Sequence, residues 1–449
     1  MDRLEELAHR PVGRLLWQYS VPAVVGMLVM ALYNVVDRIF IGQWVGPDAI
    51  AGLAVTFPIM NLATAIGVLV GVGSSSKVSI VLGGGDKPQA EMLLGNAMTL
   101  TLVNAGIYIL VFSIFIDPML RAFGASDATL PYGREYMLTL MPGLLLTNIA
   151  FGFNNIMRAS GYPRRAMATM LLGAIVNVVL DPVFIRVFDM GILGAAISTD
   201  IAMAASAWFV MAHFTRRDVA LRFRRGTYAL RRDIVWGIVS IGAAPALVNA
   251  ASCAINAIVN RTLGEWGGDR AIGAAGIMIT FTSLIVTVVL GICQGMQPII
   301  GYNYGAGLQH RLKRTYWLAT GTSTLITLAG AVFGLFFPSA VARAFTTDAD
   351  LIAASDQALS LCLLCFPLVG FQIVSTAFFQ SIGKAGKSIF LSLSRQVIFL
   401  IPLLLWLPGR YGLAGVWSSF PLSDLCATIA TALLMLWQFR HLSDTPTRL

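Results

Sequence analysis

Twelve apolar runs fill this chain almost end to end, and few folds tolerate that pattern. A membrane-crossing helix needs about 20 apolar residues. Inside a bilayer only segments that satisfy their own backbone hydrogen bonds are stable. The runs fall at roughly 15–41, 50–80, 93–116, 133–157, 166–187, 191–214, 235–262, 271–300, 316–337, 355–382, 388–408 and 413–438. They predict an all-α membrane protein of twelve transmembrane helices. Composition agrees: 57% of residues are hydrophobic and 12% charged, where a soluble domain carries about 25% charge. Turn signals separate the runs, among them Gly83-Gly84-Gly85-Asp86, Gly305-Ala306-Gly307 and Gly383-Lys384-Ala385-Gly386. The first of these lacks the Gly-Lys-Ser/Thr ending of a phosphate loop, so it reads as a turn.

Basic residues set the orientation. With the N-terminus inside, alternate segments on that side hold 23 of the 31 lysines and arginines, Arg158 and Arg395 among them. This predicts an even number of spans, both termini in the cytoplasm and a bacterial inner-membrane location. No cleavable signal peptide is expected in the charged start MDRLEELAHRPVGR. The net charge of +9 is thereby assigned to the membrane face, and no nucleic-acid partner is expected. The lipid bilayer is the expected partner, and the protein is expected to be a monomer. The five cysteines lie in apolar runs and read as small hydrophobes, the Cys362-x-x-Cys365 pair included. No histidine pair has metal-ligand spacing, and no organic cofactor is expected. A membrane-embedded enzyme is disfavoured, since no nucleophile–base pair or ligand set lies at a common depth.

The halves repeat. Val21-Pro22-Ala23 is answered by Ala244-Pro245-Ala246, Pro142 by Pro367, Gly161 by Gly383, and Gly191-Ile-Leu-Gly194 by Gly412-Leu-Ala-Gly415. Six helices is an even number, so the halves share one orientation. They form two six-helix bundles related by a pseudo-two-fold axis along the membrane normal. The expected division is an N-terminal lobe over 1–214, a basic cytoplasmic linker over 215–234 held near anionic headgroups, and a C-terminal lobe over 235–449.

Within the first run, Pro22 interrupts a helix and Asp37 places a carboxylate in the bilayer, a cost of about 2.5–3.5 kcal/mol on insertion scales. Other intramembrane acids are Asp181, Asp200 and Asp424. At 1.5 Å per residue Asp37, Asp181, Thr199 and Asn177 lie about 7, 9, 12 and 15 Å from the outer ends of their helices. Tyr136 enters at similar height. Asn177 and Asp181 are four apart and share a face. Two carboxylates, an amide and a hydroxyl at one depth suit a proton or a small hard cation such as sodium. Pairing with Arg38 is the competing reading of Asp37, and a bend at Pro182 that of Asp181. Pro22 and Pro245 are the candidate hinges. A greasy cavity is expected to draw on Met27, Phe57, Met278 and Phe281, with Asn34, Asn61, Asn154 and Asn256 as its polar members.

The segments PAVVGMLVMALYNVVDRIFIGQWVG, IAGLAVTFPI, MRASGYPRRAM and NVVLDPVFI together resemble the multidrug and toxic compound extrusion (MATE) family, over roughly residues 10–440. The Asn177-x-x-x-Asp181 pattern is similar to its DinF/MepA-like branch. The resemblance implies a proton or sodium site at Asp37, Asn177, Asp181 and Thr199 with Tyr136 nearby, a substrate-cavity position at Asn154, and a bending first helix at Pro22. NorM-like members carry acids on the seventh and tenth spans, which 235–262 and 357–382 lack, so coupling is expected in the N-terminal lobe. The implied function is export of amphipathic, often cationic, drugs in exchange for a cation, by alternating access. A flippase for lipid-linked or glycan precursors is the alternative. It calls for a large cavity rich in Arg and Lys for phosphates, which the predicted helix interiors lack.

Overall fold

The protein was analysed as a computed structural model, which describes residues 3–45 and 47–442. Gly46, at the end of the first polar-bearing run, and Arg448 lie outside the described residues. A short helix α1 (Arg3–His9) leads into α2 (Val12–Trp44), α3 (Pro47–Gly83), α4 (Lys87–Ala122), α5 (Leu130–Ala159), α6 (Pro163–Pro182) and α7 (Gly191–Thr215). The second half comprises α8 (Arg232–Gly305), α9 (Gln309–Phe336), α10 (Pro338–Arg343), α11 (Ala349–Cys362), α12 (Phe366–Ser381), α13 (Ala385–Leu393), α14 (Ile401–Trp406) and α15 (Pro408–Arg440).

Helix α8 has 74 residues, about 110 Å at 1.5 Å per residue, far more than a bilayer of about 30 Å can house. It is two spans joined at Gly268, whose φ of 64° and ψ of −165° only glycine adopts readily. Helices α11 and α12 form one span bent by 58°. The fold is therefore the expected twelve-span bundle, with the seventh and eighth spans longer than their apolar cores and the tenth bent. Two stretches widen into π-helix, Val183–Val187 after α6 and Ser394–Leu400 after α13.

The repeat is visible in the turns. After α5, Tyr162 N–H bonds to Met157 O and Gly161 N–H to Arg158 O; after α12, Lys384 N–H bonds to Phe379 O and Gly383 N–H to Gln380 O. Gly161 (φ 101°) and Gly383 (φ 73°) are both left-handed. Each is the same glycine-terminated helix end.

The apolar cores show how the two bundles meet. Near the termini, one core joins Phe153, Phe214 and Ile156 to Ile234 and Ile238 of α8. Another joins Leu15 and Tyr19 of α2 to Met296, Tyr316 and Phe378. Toward the opposite end each bundle keeps to itself: Ile41, Ile59, Tyr136 and Ile192 in the first, and Leu263, Met278, Phe366 and Trp417 in the second. The bundles are thus pressed together on the side of the termini. A Cβ on Gly291 would stand 2.7 Å from Val24 Cα, and one on Gly295 2.6 Å from Ser20 Cα. Gly301 and Gly305 approach Ser79 and Ile80 of α3 in the same way. Glycines four apart let backbones meet where apolar burial gives no drive in lipid. Gln297 Nε2 donates across the seam to Ser75 and Ser76, at 3.1 and 2.6 Å.

The connection after α7 is docked on protein rather than held only by headgroups. Asn96 Nδ2 donates to Thr227 O (3.0 Å), Arg231 N–H donates to Asn96 Oδ1 (2.9 Å) and Thr99 Oγ1 donates to Tyr228 O (2.7 Å). Buried Glu91 pairs with half-exposed Arg224 at 2.6 Å.

Candidate functional site

Four helices of the first bundle bring the expected polar residues together. Asp37 stands on α2, Tyr136 on α5, Asn177 and Asp181 on α6, and Thr199 on α7. The i,i+4 spacing on α6 puts Asn177 Nδ2 3.3 Å from Asp181 Oδ1, and the same nitrogen lies 3.3 Å from Thr199 Oγ1. Asn177 and Asp181 are fully buried, and Tyr136 nearly so. Asp37 faces Asp181 within hydrogen-bonding reach. It does not pair with Arg38, whose guanidinium lies 5.7 Å from the Phe57 ring centroid.

Three oxygens of this group have no donor: Asp37 Oδ1, Asn177 Oδ1 and Asp181 Oδ2. Buried acceptors without partners are expensive. Two facing carboxylates disfavour double ionisation, so one proton between them relieves the repulsion and supplies one of the missing donors. A small cation bound by the same oxygens relieves the repulsion as well. The cluster is therefore a buried set of acceptor oxygens around two facing carboxylates. No group of three or more His, Cys, Asp or Glu that could hold a metal ion occurs among the described residues.

Sequence reading missed Ser198, whose Oγ donates to Asp181 Oδ1. The signal was there in the Ser198-Thr199-Asp200 run, but only the packing of α7 on α6 says which hydroxyl turns to which partner. Tyr33, one turn before Asp37, also lies close to both carboxylates. Asp200 turns away and rests against Gly143 of α5.

Three of the eight expected cavity residues, Asn154, Asn256 and Met278, line two separate cavities. Asn154 lines a pocket of about 50 Å³ in the first bundle with Met30, Thr169 and Met170. Its amide donates to Ala166 O (2.6 Å) and its Oδ1 accepts from Arg158 (2.9 Å), so it ties helices together. Asn256 and Met278 line a larger cavity of about 250 Å³ in the second bundle. Phe281 packs beside that bundle's core, 6.4 Å from Phe333. Met27 and Asn61 are half-buried, and Phe57 and Asn34 are exposed on the outer halves of α3 and α2. Asn34 Nδ2 donates to Met30 O. Pro22 lies within an unbroken α2, and Pro245 within the first span of α8.

Two charge assignments need correction. Arg395 does not lie at the cytoplasmic surface. It sits in the π-helical stretch of the eleventh span and donates from Nε to Asp424 Oδ1 at 2.7 Å, on α15. The basic-residue bias survives its removal. Arg158 is buried too, bonded to Asn154, Asn155 and, across the seam, Gln294. Two arginines thus lie inside the bundles, neither in a cavity rich in Arg and Lys. Arg158 abuts the end of its apolar run, whereas Arg395 stands inside the eleventh run, and only packing shows the partner of each.

The MatE family model matches residues 22–183 and 245–406, one stretch in each half of the chain. A FAD transporter of Shewanella oneidensis is 27% identical over 94% of this chain and 94% of its own. The multidrug export protein MepA of Staphylococcus aureus is 25% identical, covering 99% and 98%. Among solved structures, an outward-facing multidrug resistance MATE family transporter of the MOP superfamily superposes with a TM-score of 0.92 at 25% identity, covering 98% of both chains. A Pyrococcus furiosus MOP superfamily transporter, described by the reverse polarity of its binding pocket, gives 0.91 at 26% identity over 98% of both chains.

Proposed function

The chain belongs to the MatE family of multi-pass membrane transporters, and on that footing we propose that it is a proton- or sodium-coupled antiporter exporting amphipathic, often cationic, small molecules by alternating access. The observation that carries the coupling is the facing pair Asp37 and Asp181, with oxygens that lack a donor. The MepA relatives support drug export. The FAD transporter widens the substrates to be tried to anionic nucleotides.

The basic segments support cytoplasmic termini in a bacterial inner membrane. With that orientation, bundles joined at the termini and separate beyond are open to the outside. A cation then enters from outside and is captured by Asp37, Asn177, Asp181 and Thr199. Capture rearranges the hydrogen bonds between α2, α6 and α7, the stretch of α2 beyond Pro22 responds, and drug leaves outward. The cycle runs only if the cation binds the two conformations with different affinity. The transporter acts as a monomer, since each chain holds both bundles.

The test is ethidium efflux from energised cells expressing wild type, Asp37→Asn or Asp181→Asn at matched membrane levels. Loss of efflux in both, with ethidium binding kept by the purified variants, is the expected result. Normal efflux in both variants would sink the coupling site.

A further inference from the structure

The cavity in the second bundle is larger than the pocket of the first, and it is built differently. Arg395 projects from the widened turn Ser394–Leu400, where the extra residue of a π-helix displaces a side chain from the ordinary helical face. Among the described residues its guanidinium makes one hydrogen bond, from Nε to Asp424 Oδ1. Asp424 is nearly buried, its side chain 7% exposed, whereas that of Arg395 is 31% exposed and lines the cavity. The two Nη groups have no hydrogen-bond partner among the described residues. Asp424 is held in turn: Gln372 Nε2 donates to its carbonyl and to Thr428 Oγ1, and Ser423 Oγ donates to Arg395 O.

An ion pair within a bilayer is not needed for stability, since apolar residues of similar volume do as well or better. A structural pin would use the fork of the guanidinium fully. Here one donor is used and the two-pronged edge that matches carboxylate or phosphate is spare. A second group points the same way. Gln396 Oε1, on the cavity wall, is buried without a donor. Around these lie Met278, Phe366 and Phe420. Counting from Gly191 and Gly412, Asp424 corresponds to Met203 in the first bundle, so the ion pair is not inherited from the repeat.

We propose that this cavity is a binding subsite for the anionic end of an amphipathic ligand, a carboxylate or phosphate gripped by the Nη edge of Arg395 while Asp424 holds the guanidinium in place. The flat apolar walls take the adjoining ring, and a ligand N–H or O–H satisfies Gln396 Oε1. At about 250 Å³ the site suits a two-ring body, so a larger molecule inserts only its anionic end. As a transport subsite the proposal rests on the export reading, but binding is measured without transport.

The experiment is calorimetric titration of the purified full chain with 2-naphthoate, 2-naphthyl phosphate and the uncharged 2-naphthamide. At least one anion binds about tenfold or more tightly than the amide, the factor expected of a charge-assisted hydrogen-bond pair, and comparison of the two anions identifies the preferred head. Arg395→Gln brings the anions down to the level of the amide and leaves amide affinity unchanged, which certifies the cavity. Arg395→Lys, which keeps the charge and loses the fork, retains only part of the preference. Equal affinity of anions and amide in wild type, absence of binding by any of the three, or a preference that survives Arg395→Gln overturns the proposal. Ethidium efflux is scored separately: efflux without anion preference defeats the subsite alone, and anion preference without efflux defeats the export reading alone.

Discussion

Gly295→Ala is a direct test of the seam that holds the two bundles together. The added Cβ would stand 2.6 Å from both Ser20 Cα and Ser20 N, where ordinary contact begins at 3.4 Å. The opposing atoms are backbone, so α2 and α8 must part by nearly an ångström. Overpacking of this kind costs about 1–3 kcal/mol. The strain exists only while the termini side is closed, so the equilibrium moves toward the state in which the seam has opened. At 1.4 kcal/mol per decade the shift is between about fivefold and 150-fold. The readout is alkylation of Ser79→Cys, a buried seam position facing Gly301, in a background with the native cysteines replaced. Labelling requires opening, so its rate rises by that factor in the Gly295→Ala protein. Gly321→Ala, on α9 with nothing within 4 Å of the added carbon, leaves the rate alone. An unchanged rate in folded Gly295→Ala protein would refute the reasoning.

Further outcomes follow from single features. Pro22→Ala restores a backbone donor inside α2 and raises helix propensity; the protein is expected to keep or gain thermal stability while efflux falls, and normal efflux would remove Pro22 from the cycle. Gly268→Ala places a side chain at φ 64° and ψ −165°; a loss of about 1–3 kcal/mol is expected as a lower melting temperature. Asn96→Ala removes two bonds to the connection after α7, so limited proteolysis near Thr227 should accelerate without loss of the spans. In that connection the Arg216 guanidinium beside Asp218 holds its carboxyl down at about 2. A depressed carboxyl contributes above its unfolded value and loses that contribution only as pH falls toward 2. Substituting Asp218 by Asn should therefore leave the pH profile of efflux between 5 and 8 unchanged.

Much of this protein was determined by the sequence alone. Apolar runs of bilayer length force helices, because nothing else satisfies its backbone in lipid. The matched prolines and glycines declared two parallel six-helix halves, since the same turn needs the same left-handed residue at Gly161 and Gly383. The i,i+4 spacing of Asn177 and Asp181 fixed a shared face because helical geometry is local. What crosses between helices was decided by tertiary structure. Ser198 rather than Asp200 turning to Asp181, the union of Arg395 with Asp424, and Arg158 bridging to Gln294 all depend on rotation and depth of one helix against another. Those are set by packing of small residues such as Gly291 and Gly295, and a hydropathy pattern carries no record of which neighbour they meet. Whether the bundles part toward the termini or away from them was equally hidden, because a hydropathy pattern reads the same for either packing.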